Sequence, residues 1–348
     1  MGLQHLISLS AVLLFPSTVL LAQSSSTIPL QLPTDNKAIF EGGGPDFYMH
    51  VIRNYQGRTT TPWEGGQYGF VRNPQETSAG RIYTRFHEGL DIRPLRRDAQ
   101  GEPLDEIYAV SPGRVVYVSR DESQSGYGRY VVVEHVWDGS PYYSLYAHLS
   151  EIRVSEGQSL RMGETLAIMG HTGRGLDRAR SHLHFEINLL LNSNYQVWHE
   201  SHHNTPNHHG LYNGINLTGF DPAGFFLAYR NNPQVSVAEF FATQEPFFWV
   251  RFPGTADIEI LRRYPWLVQG SSGSPVSWDI AFDRSGLPLR AEASSSRVSV
   301  PTAVRIASTK APLSAMTRSL VGGTVSNPQL TERGLATMRL LIGQAAGE

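Results

Sequence analysis

Three short stretches carry ionisable groups at spacings that could do chemistry: FHEGLDI (86–92), SLYAHLS (144–150) and SHLHFEI (181–187). In the first, Phe86, Leu90 and Ile92 alternate with His87, Gly89 and Asp91. In the second, Leu145, Ala147 and Leu149 alternate with Tyr146 and His148. In the third, Leu183, Phe185 and Ile187 alternate with His182, His184 and Glu186. Successive strand side chains point to opposite faces, so His87 and Asp91 share a face, as do His182 and His184. Each apolar face can enter a core while the polar face lines a groove. Several imidazoles and one carboxylate converging there suit a catalytic zinc, which takes three nitrogen or oxygen ligands and keeps one position open for water. A lone histidine is ordinarily structural or at the surface. The conjunction of H-x-x-x-D, a further His and H-x-H is what carries the reading.

The surrounding sequence predicts how these stretches are held. From Ile82 to about Ile187 the apolar pattern has period two, and Gly113, Gly157, Gly163 and Gly170 punctuate short segments at hairpin intervals. RYVVVEHVW (129–137) reads as a strand buried on both faces, with His135 as a structural residue at its end. No amphipathic helix interrupts this region, so it should be mostly antiparallel β. Residues 23–80 are rich in Gly, Pro, Thr and aromatics and read as loops with a few short strands. After about Arg230 the texture changes: WDIAFDRSGLPLRAEA (278–293) predicts a hairpin around Asp283–Gly286. Asn327–Pro328 predicts the N-cap and first turn of a final helix carrying Leu330, Leu335, Met338 and Leu341.

Composition removes whole classes of function. The chain has 348 residues, long enough for about two domains, and 29 basic against 31 acidic residues leave a net charge of −2. Without a basic block there is no electrostatic footprint for nucleic acid or for a charged membrane surface. The absence of Cys excludes disulfides, thiol catalysis, Cys-ligated zinc and Cys-linked lipid anchors. The first residues form an apolar run ending at Ala22, which predicts a secretory signal peptide at 1–22 and an exported protein with no transmembrane segment once it is removed. Pro16 and several hydroxyl residues leave the run too short for a good membrane anchor.

In order, FHEGLDI, AVSPGRVVYV, SGYGRYVVVEH, YAHLS, VSEGQSLRMGETLAIMGHTG and SHLHFEI resemble the lysostaphin-type (LytM-like) zinc metallopeptidases, enzymes that cut peptide stems or cross-links of bacterial peptidoglycan. The resemblance covers about residues 65–190, includes YGFVR (68–72) and continues weakly to FDP (220–222). It implies a mainly β, antiparallel LytM-like peptidase domain (the duplicated hybrid motif) with an open groove, plus a smaller α+β C-terminal region. The resulting organisation is signal peptide 1–22, loop-rich extension 23–64, peptidase domain 65–230 with a His-rich loop at 192–215, and an accessory region 231–348. The resemblance further implies that His87, Asp91 and His184 bind Zn2+, and that His148 and His182 work on the water and the transition state. One of that pair would take the attacking water's proton and the other would donate to the oxyanion. Which does which stays open, and Glu186 reads equally as support for a ligand His or as a solvated strand end. The implied partner is a peptidoglycan peptide, in a setting outside the cytoplasm. Groove loops would choose between Gly-Gly and D-amino-acid-containing bonds, and the lack of a recognised wall-targeting repeat favours a periplasmic setting.

Three rival readings stand beside this one. His199-Glu200-Ser201-His202-His203 matches H-E-x-x-H, the zincin motif, which places two His on one face of a long helix with Glu as base. Here Asn192–Asn194 and Pro206 leave room for only a short helix, so the segment, with His208 and His209, reads as a polar surface loop or a groove wall. The second rival is a catalytically inactive wall-binding or regulatory protein on the same fold. Such relatives typically lose metal or catalytic residues, whereas all five are present here. A carbohydrate-binding or structural β protein, the third, would leave the polar groups on the strand faces unexplained.

Overall fold

Runs of Val, Tyr and Leu with period two favour a pleated, half-buried surface over a helix, and in the computed structural model they pair as expected. Residues 27–49, 53–55, 57–60, 63–78, 80–270 and 275–345 are described; the expected signal peptide lies outside them. The central antiparallel sheet runs in the order Ser159–Leu160, Gly113–Ser119, Tyr130–Trp137, Ser140–Ala147, Leu183–Leu190. The outer edge of the last strand is shared end to end. Leu90–Ile92 pairs with its first half and Leu217–Phe220 with its second. Register sets Asp91 opposite His184, which in turn lies opposite Ala147. Gly89 permits this closeness, because a Cβ there would lie 2.3 Å from the Phe185 carbonyl oxygen.

Both faces of the sheet are buried. Leu90, Ile92, Val131, Val133, Tyr146, Phe185 and Ile187 enter a large core, while Tyr130, Val132, Tyr143, Leu145, Ala147, Leu190 and Leu217 form a smaller cluster on the other side. A second sheet, in the order Leu149–Ile152, Thr165–Met169, Glu106–Tyr108, packs Leu149, Ala167, Met169 and Ile107 into the large core. Ile28, Leu30 and Leu32 of the N-terminal segment join the same core. A long hairpin, Gly69–Thr77 with Gly80–His87, enters the site from one side.

The C-terminal region builds its own sheet, in the order Val268–Gln269, Pro288–Ser294, Ser277–Phe282, Phe248–Pro253, Thr302–Ile306. The hairpin expected at Asp283–Gly286 is present, with the Asp283 carboxylate accepting from the backbone N–H groups of Ser285 and Leu287 at 2.8 and 2.9 Å. Arg284 then lies over the Phe70 ring at 4.2 Å. Arg318 covers Phe86 at 4.9 Å and donates to Glu88 at 2.8 Å, so this region grips the site's hairpin from behind. The final helix starts later than expected. Asn327–Leu330 is a strand paired with Val321–Thr324, and the helix is Glu332–Leu341, capped by Thr331, whose hydroxyl accepts from Gly334 N–H at 3.0 Å. Thr331 is also a favoured cap, though a weaker one than Asn, and the Val321–Leu330 pairing draws the Asn-Pro dipeptide into the strand. Among the described residues no helix is long and apolar enough to cross a membrane.

Candidate active site

The single strand expected at FHEGLDI is broken at Glu88–Gly89. His87 ends the Gly80–His87 strand of the long hairpin, Asp91 lies on the Leu90–Ile92 strand of the central sheet, and His182 immediately precedes the Leu183–Leu190 strand that carries His184, yet all four side chains meet at one place. His87 Nδ1 donates to the Gln67 carbonyl at 2.7 Å, which turns Nε2 inward. Nε2 lies 3.1 Å from both His184 Nδ1 and Asp91 Oδ1, and those two atoms are 3.0 Å apart. All three side chains are buried, and among the described residues they form the group of His, Asp or Glu side chains able to hold a metal ion. The far edge of His184 is fixed as well: Nε2 donates to Glu186 Oε1 at 2.7 Å, and Tyr127 donates its hydroxyl to the same oxygen at 2.7 Å. Glu186 is 1% exposed, so it is a buried partner of His184 and not a solvated strand end. On the other side Arg72 Nη2 donates to Asp91 Oδ2 at 2.6 Å, while its Nε donates to the Gly65 carbonyl at 2.7 Å.

The electrostatics follow from burial and these contacts. Burial lowers His87, with Asp91 opposing and Arg72 reinforcing the shift. Burial would raise Asp91, but His87, His182 and Arg72 hold its carboxyl well below the usual range. Burial also opposes charge on His184, yet hydrogen bonds to Asp91 and Glu186 outweigh it and raise the imidazole to about 10. In the chain alone, one proton on His184 therefore keeps the cluster together. Without it, His87 Nε2, His184 Nδ1 and Asp91 Oδ1 would present three lone pairs 3.0–3.1 Å apart with no hydrogen between them. Such a set calls for a cation. The separations are close to the ~3.3 Å edge of a tetrahedron with ~2.0–2.1 Å bonds, so two imidazoles and a carboxylate oxygen fit zinc.

His148 and His182 stand beside this cluster. His182 Nδ1 donates to the Arg180 carbonyl at 2.7 Å, leaving Nε2 as an acceptor 3.3 Å from Asp91 Oδ1. His148 Nδ1 donates to the Thr172 carbonyl at 2.8 Å, which likewise leaves Nε2 free. The two rings are 4.7 Å apart, and His148 lies 5.8 Å from the His184 ring. Burial, and then His182 and His184, push His148 well below the usual imidazole range. Its position corrects the strand reading. Tyr146, expected on the polar face with His148, lies in the large core opposite Phe185, whereas Ala147 shares the face of His184. Simple alternation would send His148 into the core as well. Instead, His148 adopts φ +65°, a left-handed conformation uncommon outside glycine, and the kink between Ala147 and Leu149 swings its ring to the site.

Other sequence features fall elsewhere. His135 is fully buried far along the strand, donating from Nδ1 to the Pro112 carbonyl at 2.9 Å and meeting Ser144 Oγ at 2.7 Å through Nε2. The H-E-x-x-H segment forms an eight-residue helix, Tyr195–His202, that ends before His203. His199 Nε2 donates to the Thr205 carbonyl at 2.7 Å, His202 stacks on Trp198, and Glu200 accepts from Gln196 on the exposed side. His209 does reach the groove wall, where it contacts Tyr117. The groove itself has a volume of about 830 Å3 and contains His87, Asp91, His148, His182 and His184. Sequence reasoning gave no role to Arg72, Tyr127, or the carbonyls of Gln67, Thr172 and Arg180. Only Arg72, the charge that ends the otherwise uncharged YGFVR, leaves a signal in the sequence.

Parts of the chain are similar to known proteins. The model of Peptidase family M23 matches residues 85–196, a span holding all five of these side chains. Residues 85–196 are an M23 peptidase domain. Over 125 residues the chain is 35% identical to the "uncharacterized lipoprotein YgeR" of Escherichia coli, covering 36% of this chain and 41% of that protein. It is 36% identical over 120 residues to the "peptidoglycan DD-endopeptidase ShyB" of Vibrio cholerae, covering 34% and 24%. It is 38% identical over 90 residues to the "murein hydrolase activator NlpD" of Escherichia coli, covering 26% and 21%. The chain thus spans less than half the length of each relative. Among solved structures, it resembles the catalytic domain of the prophage-encoded M23 protein EnpA from Enterococcus faecalis, with 26% identity and a TM-score of 0.24 over 30% of this chain and 70% of that one.

Proposed function

We propose that this protein is an exported zinc endopeptidase that hydrolyses peptide bonds in the stems or cross-links of peptidoglycan. The observation that carries the reading is the convergence of three buried ligand atoms with two further imidazoles whose Nδ1–H groups are tied to backbone carbonyls, leaving both Nε2 atoms free beside the ligands. His87, Asp91 and His184 would hold zinc, which when bound acts as a Lewis acid and lowers the pKa of a water molecule. Glu186 and Tyr127 orient His184, and Arg72 orients Asp91, so each ligand is aimed by a neighbour. One of His148 and His182 takes the proton of the attacking water at Nε2 and passes it to the leaving amine as the C–N bond breaks. The other, when it carries a second proton at Nε2, donates from there to the oxygen that gains charge in the tetrahedral transition state.

A second reading comes from the NlpD relative: the same domain as an activator of other hydrolases, without activity of its own. Treating purified peptidoglycan with the zinc-loaded full chain separates the two. Mass spectrometry should find fragments with new amino termini, and these should be absent with His182→Ala or with a chelator. A zinc-replete protein that generates none would favour the activator.

A further inference from the structure

Six charged residues line the groove: Arg72, Arg85, Glu88, Asp91, Arg174 and Arg180. Two opposite-sign contacts account for its carboxylates, since Arg72 holds Asp91 and Glu88 is held by Arg318 from behind. Arg85, Arg174 and Arg180 remain, with no carboxylate partner among the described residues. A chain of net charge −2 has no general surplus of cations to place there.

Each of the three lines the same groove as the five site side chains. Arg85 is two residues before His87 on the same strand and so shares its face. It also stands directly across from Arg72 in the hairpin register, an arrangement of like charges that works against pairing. Arg180 is half-buried; its carbonyl orients His182 and its Nη1 donates to the Gly175 carbonyl at 2.5 Å. Its Nε–H is buried with no acceptor in the protein, a costly state that an incoming oxygen would relieve. Arg174 is exposed on the same loop.

We infer that Arg85, Arg174 and Arg180 form a carboxylate-recognition surface, so that the preferred substrate is a peptide with a free carboxylate close to the scissile bond and not an uncharged glycine bridge. The inference rests on the peptidase reading and deepens it. Guanidinium groups pair with carboxylates through two parallel N–H donors, which gives direction as well as charge. The carboxylate could belong to a branch residue or to a chain terminus, and the probes below separate the two.

The test uses three cross-linked peptides of equal length: one with branch and terminal carboxylates free, one amidated at the branch, one amidated at the terminus. Cleavage by the zinc-loaded full chain gives kcat/KM, and fluorescence anisotropy of labelled peptides gives binding independently of cleavage. Amidating the recognised carboxylate should weaken both by about 10- to 100-fold, the worth of one or two hydrogen bonds to a charged group. Combined Arg85→Gln, Arg174→Gln and Arg180→Gln should bring the preference close to one, with Arg85→Lys retaining part of it. Because Arg180 is half-buried, the exposed Arg85→Gln is also tested alone, and it should lower the preference in a folded protein. Equal binding of all three peptides by the unaltered chain would overturn the inference, as would a preference that survives the triple substitution. If the chain binds the carboxylate peptide preferentially but cuts none of them, the peptidase reading falls and the recognition surface stands.

Discussion

At the scale of the residue, the five groove side chains divide by what fixes them. His87, Asp91 and His184 point ligand atoms at one another, so Ala at any of these positions should remove the metal along with activity. His148→Ala and His182→Ala should keep the metal, measured by elemental analysis, while turnover falls by roughly 10²–10⁴, the usual worth of general acid–base groups. Arg72→Met should leave every ligand in place yet weaken metal affinity by about 10- to 100-fold, because Asp91 loses the partner that orients it. A competition assay with a chromogenic chelator reads this directly. His135 sets a separate, pH-dependent term. Burial lowers its pKa to about 4, against the effect of its bond to the Pro112 carbonyl, whereas in the unfolded chain it titrates near ~6.5. The unfolded state therefore takes up the proton first as pH falls. The stabilisation is complete above about 6.5 and is lost between there and about 4, by up to about 3 kcal/mol. Urea unfolding across this range should show a shallower acid slope for His135→Gln than for the unaltered chain.

At the scale of the element, what could be read from the sequence was whatever obeys a local period. Asp91 and His184 sit opposite each other on regular paired strands, whereas His87 ends a different strand beyond the break at Glu88–Gly89 and His182 lies just before the Leu183–Leu190 strand, so alternation accounts for only part of the meeting. His148 was placed on the right face for the wrong reason: its left-handed backbone reverses the alternation, and a period-two pattern contains no trace of that kink. The strand pattern leaves Glu186 open because Tyr127, which holds its carboxylate, lies 59 residues away in sequence. The Gln67, Thr172 and Arg180 carbonyls carry no side-chain signal at all. The final helix was misplaced by a few residues because Asn327 and Thr331 are both good caps, and only strand pairing chose between them. The short H-E-x-x-H helix gives the element-scale prediction. Glu200 faces outward beside Gln196, so Glu200→Gln should cut peptidoglycan at the rate of the unaltered chain, measured by release of soluble fragments. Loss of activity in a folded Glu200→Gln protein would move the active site to this helix.

At the scale of the whole molecule, a single apolar cluster runs from Ile28 to Ile342. Phe220 meets Phe241, and Phe225 meets Phe240, edge to face beside the end of the central sheet, and the Tyr264 hydroxyl accepts from the Leu190 N–H at 2.9 Å. Removing residues 232–348 would therefore uncover large aromatic side chains. The truncated protein should be insoluble or should melt well below the full chain, as differential scanning fluorimetry would report. The grip of Arg284 and Arg318 on the hairpin bears on how such chains can be cut and rejoined. The span that matches the family begins at residue 85, inside the Gly80–His87 strand. A chimera built from that span alone would inherit all five groove side chains but leave behind Arg72, the Gln67 carbonyl and the opposite strand of the hairpin. A chimera meant to keep the site should therefore begin upstream of Gly65 and extend past Arg318, well outside the most recognisable stretch of sequence.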